Sequence, residues 1–178
     1  THTPDSLAGI EIRTGDNTRA LIGMVRTNSS SQFADSATNR FVVSWFNRQD
    51  LGLVNVFTAN RTTTSASYVE MSTEIRNEFL VWGTDAVDAV FVGKGGGNAA
   101  SEAYVNIAFD DATARDSGGS GTATNINVGL SAAIRLSGLT EGYHFATVVG
   151  KIAGGSTLTL YGSATTGDRG ALTVKVRG

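Results

Sequence analysis

The chain has 178 residues, 40% hydrophobic and 17% charged, with a formal net charge of -2 and no cysteine. It is long and apolar enough for one domain with a real core, which excludes an intrinsically disordered chain. The missing cysteines exclude disulfides, thiolate metal sites and cysteine nucleophiles, and the charge gives no bulk attraction to nucleic acid or anionic membranes.

No run of about 18 apolar residues is present, so a transmembrane helix is excluded on length and no membrane insertion is expected. Glycine occurs 22 times and proline once. Turns built from Gly, Ser, Thr, Asn and Asp suit tight hairpins, where positive φ is needed and a missing amide hydrogen is costly.

The first expected strand is Gly9 to Arg13, with Ile10 and Ile12 inward, followed by a hairpin into Ala20 to Thr27. Asn28 to Ser36 reads as a polar loop anchored by Phe33. Arg40 to Asn47 is dense in aromatic and β-branched residues, the composition of a central strand covered on both sides. Leu51 to Ala59, Tyr68 to Met71, Phe79 to Trp82, Val87 to Val92 and Tyr104 to Phe109 are further strands, spaced near ten residues apart as in a sandwich or barrel. Ser72 to Leu80 carries a competing helical signal, with Ser72 as a cap.

Two loops separate these strands: Gly93 to Ala100, with three successive glycines, and the acidic Asp110 to Thr124. From Ile126 to Leu136 every second residue is apolar. Tyr143 to Ile152 and Thr157 to Tyr161 follow after short polar turns, which predicts a three-stranded antiparallel meander. Ala171 to Arg177 is the last strand. The expected fold class is all-β: one antiparallel β-sandwich domain, jelly-roll-like, over residues 1–178.

Two segments resemble C-terminal domains of bacteriophage tail fibres and related virion appendages. They are Arg19 to Asn28 (Arg-Ala-Leu-Ile-Gly-Met-Val-Arg-Thr-Asn), continuing through Phe33 to Ser36 and Arg40 to Arg48, and Gly138 to Thr147 (Gly-Leu-Thr-Glu-Gly-Tyr-His-Phe-Ala-Thr), continuing to Gly154-Gly155. They cover roughly a third of the chain. The resemblance implies a β-sandwich head on a homotrimeric fibre, exposed at the virion surface, joined through an N-terminal stalk to other virion proteins and contacting a host surface glycan. It carries no catalytic motif, and no functional residue is transferred on it. Starting at Thr1 and ending on a strand, the chain is expected to be the C-terminal head of a longer protein. Exposed β edges at Gly9 to Arg13 and Ala171 to Arg177 would then be covered by neighbouring chains.

Candidate chemistry is sparse. His2 and His144 are the two histidines. His144, between Tyr143 and Phe145 and far from any nucleophile motif, reads as packed or turn-bonded rather than catalytic. Gly93 to Asn98 lacks the order of a phosphate-binding loop and reads as a hairpin tip. Asp110, Asp111 and Asp116 offer oxygen ligands without the spacing of a calcium loop, so neither metal nor cofactor is expected. The expected ligand site is a shallow sugar site on loops: Trp82 as a partly exposed stacking face, with Asp85 and Asn98 bonding hydroxyls. Three functions follow: a non-enzymatic attachment module, a capsid, collar or decoration protein, or a glycan depolymerase or esterase.

Overall fold

The computed structural model describes residues 1–5, 9–97, 101–112, 128–163 and 169–177, together with the backbone of 119–123. Apart from one 3-10 turn, Thr73–Ile75, the regular elements are strands: β1 (His2–Pro4), β2 (Glu11–Arg13), β3 (Asp16–Ala20), β4 (Gly23–Val25), β5 (Asn39–Arg40), β6 (Val42–Ser44), β7 (Asp50–Phe57), β8 (Arg61–Thr63), β9 (Val69–Glu70), β10 (Asn77–Val81), β11 (Val87–Gly97), β12 (Ser101–Phe109), β13 (Gly119–Ala123), β14 (Val128–Leu136), β15 (Gly142–Ile152), β16 (Leu158–Tyr161) and β17 (Gly170–Arg177). The helical signal after Ser72 is spent on that single turn, where the Ser72 hydroxyl accepts from the Glu74 amide.

Two six-stranded sheets form a jelly-roll-like sandwich. The first runs β13-β12-β15-β10-β5, with β9 added beside β15; the second runs β7-β17-β11-β16-β8, with β14 on the other edge of β11. All pairings are antiparallel except β5 with β10. Residues of period two build the core between the sheets: Val105, Ile107 and Phe109 with Ala146 and Val148 on one side, Ala89, Phe91, Leu172 and Val174 on the other, all fully buried. Asn77, also buried, donates from Nδ2 to the Leu172 carbonyl across the gap at 2.9 Å, tying the sheets together.

The expected meander is corrected. β14 pairs with β11 in the second sheet, β15 belongs to the first, and β16 returns to the second. Period two tells which residues share a face, and the same alternation serves a hairpin neighbour or a strand in the opposite sheet. Gly154 and Gly155, with φ of +74° and +68°, make the reversal from β15 towards β16.

The glycine loop is also corrected. Gly93 to Gly97 continues β11, and Gly95 lies so close to its neighbours that an added Cβ would stand 2.4 Å from Leu130 Cδ1 and 2.9 Å from the Thr159 carbonyl. Glycine is needed there for close approach of β14 and β16.

Within residues 1–48, β1-β2-β3 and β4-β6 form two small sheets, while β5 joins the first large sheet beside β10. Arg40 to Asn47 is therefore not a central strand: β6 is one half of a two-stranded sheet, with Val42 and Phe46 exposed, and Phe33 is likewise exposed rather than an anchor. Val43, Leu80 and Trp82 form a second buried cluster, joined by Leu21, Met24, Trp45 and Tyr143. Through this cluster the N-terminal segment lies over β10 and the start of β15, on the side of the first sheet away from the core. The expected free edges are corrected as well, since β2 lies between β1 and β3, and β17 between β7 and β11.

Candidate functional site

The turn from β10 to β11 gathers two of the three expected ligand residues. Trp82 is 1% exposed, and its ring meets Trp45 edge to face, with centroids 4.9 Å apart at 83°. A buried indole has no face for a sugar, so its stacking role is corrected: Trp82 is the socket for the N-terminal segment. Asp85 is 8% exposed, with its amide bonded to the Trp82 carbonyl at 2.9 Å. Its Oδ1 pairs with Arg48, whose guanidinium lies 5.0 Å from the Trp45 ring centroid. Trp82, Trp45, Arg48 and Asp85 thus form one staple between residues 45–48 and the turn. Asn98 lies outside the described residues, as does Asp116.

Asp85 also lines a polar cleft of about 340 Å³ at one end of the second sheet, shared with Asp50, Asp88, Arg135, Lys175 and Arg177. Lys175 lies 2.7 Å from Asp50, and Arg135 lies 3.2 Å from Asp88. The Lys175 hydrogen bond and charge hold the Asp50 carboxyl below its usual range. Asp85 Oδ2 is buried and has no hydrogen-bond partner among the described residues. The cleft therefore offers a polar ligand a mixed-charge wall, while the buried Asp85 Oδ2 lies out of reach of solvent. Among the described residues that line it, no nucleophile is paired with a base.

His144 is buried, with Nδ1 2.6 Å from Asp110 Oδ2 and Nε2 2.7 Å from the Thr140 carbonyl. It is a turn-bonded histidine. Asp110 also accepts from the Phe145 amide at 3.0 Å, so it fixes the end of β12 against β15. Among the described residues no group of three or more acidic or histidine side chains is placed to hold a metal. Among the described residues no helix is long and apolar enough to cross a membrane.

His2 clamps the first strand. Its ring nitrogens lie 2.7 Å from Glu11 and 2.7 Å from Glu141. Hydrogen bonds to Glu11 and then Glu141 raise its pKa above 6.5. A raised value means that this stabilisation is complete below about pH 6.5 and is lost as pH rises through the folded value. Amide-exchange protection factors for β1 and β2 should therefore fall as the solution goes from pH 6 to pH 8 while those of β11 and β15 hold. Protection of β1 that is flat across this range contradicts the clamp.

The outer face of the second sheet is a feature that ligand-directed reading misses. Val54, Val56, Val90 and Val92 are 44%, 40%, 42% and 59% exposed. They stand in two adjoining rows across four strands: Val54, Thr173, Val90 and Ala133, then Val56, Ala171, Val92 and Ser131. The signal was present in sequence. Leu53 to Phe57 is apolar at every position but Asn55, and Ala89 to Val92 at every position, the mark of a strand meant to be covered on both sides.

No described protein family and no curated protein matches the chain. Among solved structures it has a distant likeness to infectious bursal disease virus VP2, from the crystal structure of the VP2 subviral particle. The likeness covers 97% of this chain and 45% of that one, with 11% sequence identity and a TM-score of 0.34. The chain thus spans less than half the length of that protein.

Proposed function

We propose that the chain is a non-enzymatic structural module of a virion that assembles with other subunits through the outer face of its second sheet. The carrying observation is the pair of valine rows. The N-terminal segment packs over part of the first sheet, whereas the matching face of the second sheet leaves four valines in water. Contiguous exposed apolar surface on a folded domain marks a protein interface. The resemblance of residues 19–48 and 138–155 to tail-fibre domains supports placement at the virion surface, where that resemblance implies a homotrimer on an N-terminal stalk. Light scattering over a wide concentration range should give a mass above one chain. A single-chain mass throughout overturns the reading.

A second reading, attachment to a host surface glycan, is favoured by the polar, mixed-charge cleft lined by Asp50, Asp88, Arg135 and Lys175. A glycan array with product analysis separates it from the others: binding without cleavage supports attachment, released shortened sugar supports a depolymerase, and no binding removes both.

A further inference from the structure

We infer that the partner of the valine face is a second copy of this chain, docked face to face about a two-fold axis that lies between the two sheets and crosses β11 at right angles. The inference rests on the assembly reading above and adds the occupant and its register.

The outward residues of β11 are Asp88, Val90, Val92 and Lys94, in which the two ends carry opposite charge and the middle is apolar. A two-fold axis in the interface plane, perpendicular to the strand and level with the midpoint of Val90 and Val92, reverses that order in the second copy. Val90 then lies over Val92 of the second copy, and Asp88 over its Lys94. Each contact occurs twice because a two-fold interface is self-complementary.

The flanking strands agree. The same axis sets Val54 over Val56, Thr173 over Ala171 and Ala133 over Ser131, so both central rows meet small or apolar partners. At the charged ends the axis brings Lys175 and Arg135, the cross-strand neighbours of Asp88, towards Tyr161 and Gly129 of the second copy, the neighbours of Lys94, and each cation keeps its in-chain carboxylate, Asp50 at 2.7 Å and Asp88 at 3.2 Å. Rotating the axis to run along the strands stacks Asp88 on Asp88 and Lys94 on Lys94, which costs affinity instead. A three-fold ring would set the face against a different surface and make no use of the antisymmetric order.

Size fits a modest interface. Four strands about 4.8 Å apart, with four outward positions about 6.8 Å apart, give a face on the order of 500 Å² per copy, or roughly 1,000 Å² in all. That is near the lower limit for a specific contact, so dissociation constants in the micromolar range are expected.

Sedimentation of charge-reversed variants tests the register. Asp88→Lys alone and Lys94→Asp alone should each weaken dimerisation about tenfold, because each sets two like charges across the interface. The double variant, D88K with K94D, should return to within about threefold of the original. Circular dichroism and melting curves establish that each variant is folded, and mixing the two singles supplies a second measurement: they should pair with each other more tightly than either pairs with itself.

A double variant as weak as, or weaker than, the singles overturns the two-fold register. If Val92→Glu still abolishes association in that case, assembly through this face stands and only the register falls. A wild-type mass of three chains also overturns the inference and favours the trimer. A wild-type chain that stays monomeric removes both this inference and the assembly reading.

Discussion

Trp82→Ala should cost about 3–5 kcal/mol of stability, the usual range for truncating a buried tryptophan. For a domain of this size that lowers the melting temperature by roughly 10 °C. The cluster it belongs to is small: Val43 and Leu80 are its other fully buried members, with Trp45 and Tyr143 packed at the edge. Removing the indole takes away the surface on which Trp45 rests, so the N-terminal segment should loosen before the sandwich does. Thermal unfolding followed by tryptophan fluorescence, which then reports Trp45 alone, should show an early transition separate from the loss of β-sheet circular dichroism. A melting temperature within 2 °C of the original, with weakened glycan binding, would instead restore Trp82 as a ligand residue.

Asp85→Ala should destabilise by about 3 kcal/mol, because it leaves the Arg48 guanidinium partly buried beside Trp45 without its carboxylate. Replacing Arg48 by Met in the same chain should recover most of that loss, since an apolar pair of similar volume removes the unpaired charge. Urea denaturation of the two singles and the double variant gives the coupling as a double-mutant cycle. Additive losses would show that Asp85 does not hold the N-terminal segment through Arg48.

The strands were legible and their partners were not. Ile134 and Leu136, or Val174 and Val176, declare one buried face by period two alone. Nothing in that period says whether the next strand pairs beside it or crosses to the other sheet. Leu136 to Gly142 looks like a hairpin loop and is a crossing between sheets. At Gly95 the missing side chain was visible, but its cause, the approach of Leu130 and Thr159, depends on strands far away in sequence. Trp82 and Asp85 were legible as a pair worth attention because they share one turn. Their roles were not, because Trp45 and Arg48 reach them from a segment some forty residues earlier. The valine face was legible in Val54, Val56, Val90 and Val92 as strands apolar on both sides; that one of those sides stays bare depends on where residues 1–48 lie.

The most direct test of assembly through that face is sedimentation equilibrium of the wild-type chain beside Val92→Glu. Val92 is exposed, so the substitution leaves the core intact, and it places a carboxylate where the interface would exclude water. The wild-type mass should rise above the 18.5 kDa of one chain with increasing concentration, while the variant stays at 18.5 kDa over the same range with an unchanged circular dichroism spectrum. A wild-type chain that remains at 18.5 kDa, or a variant that associates as well as the wild type, would contradict it.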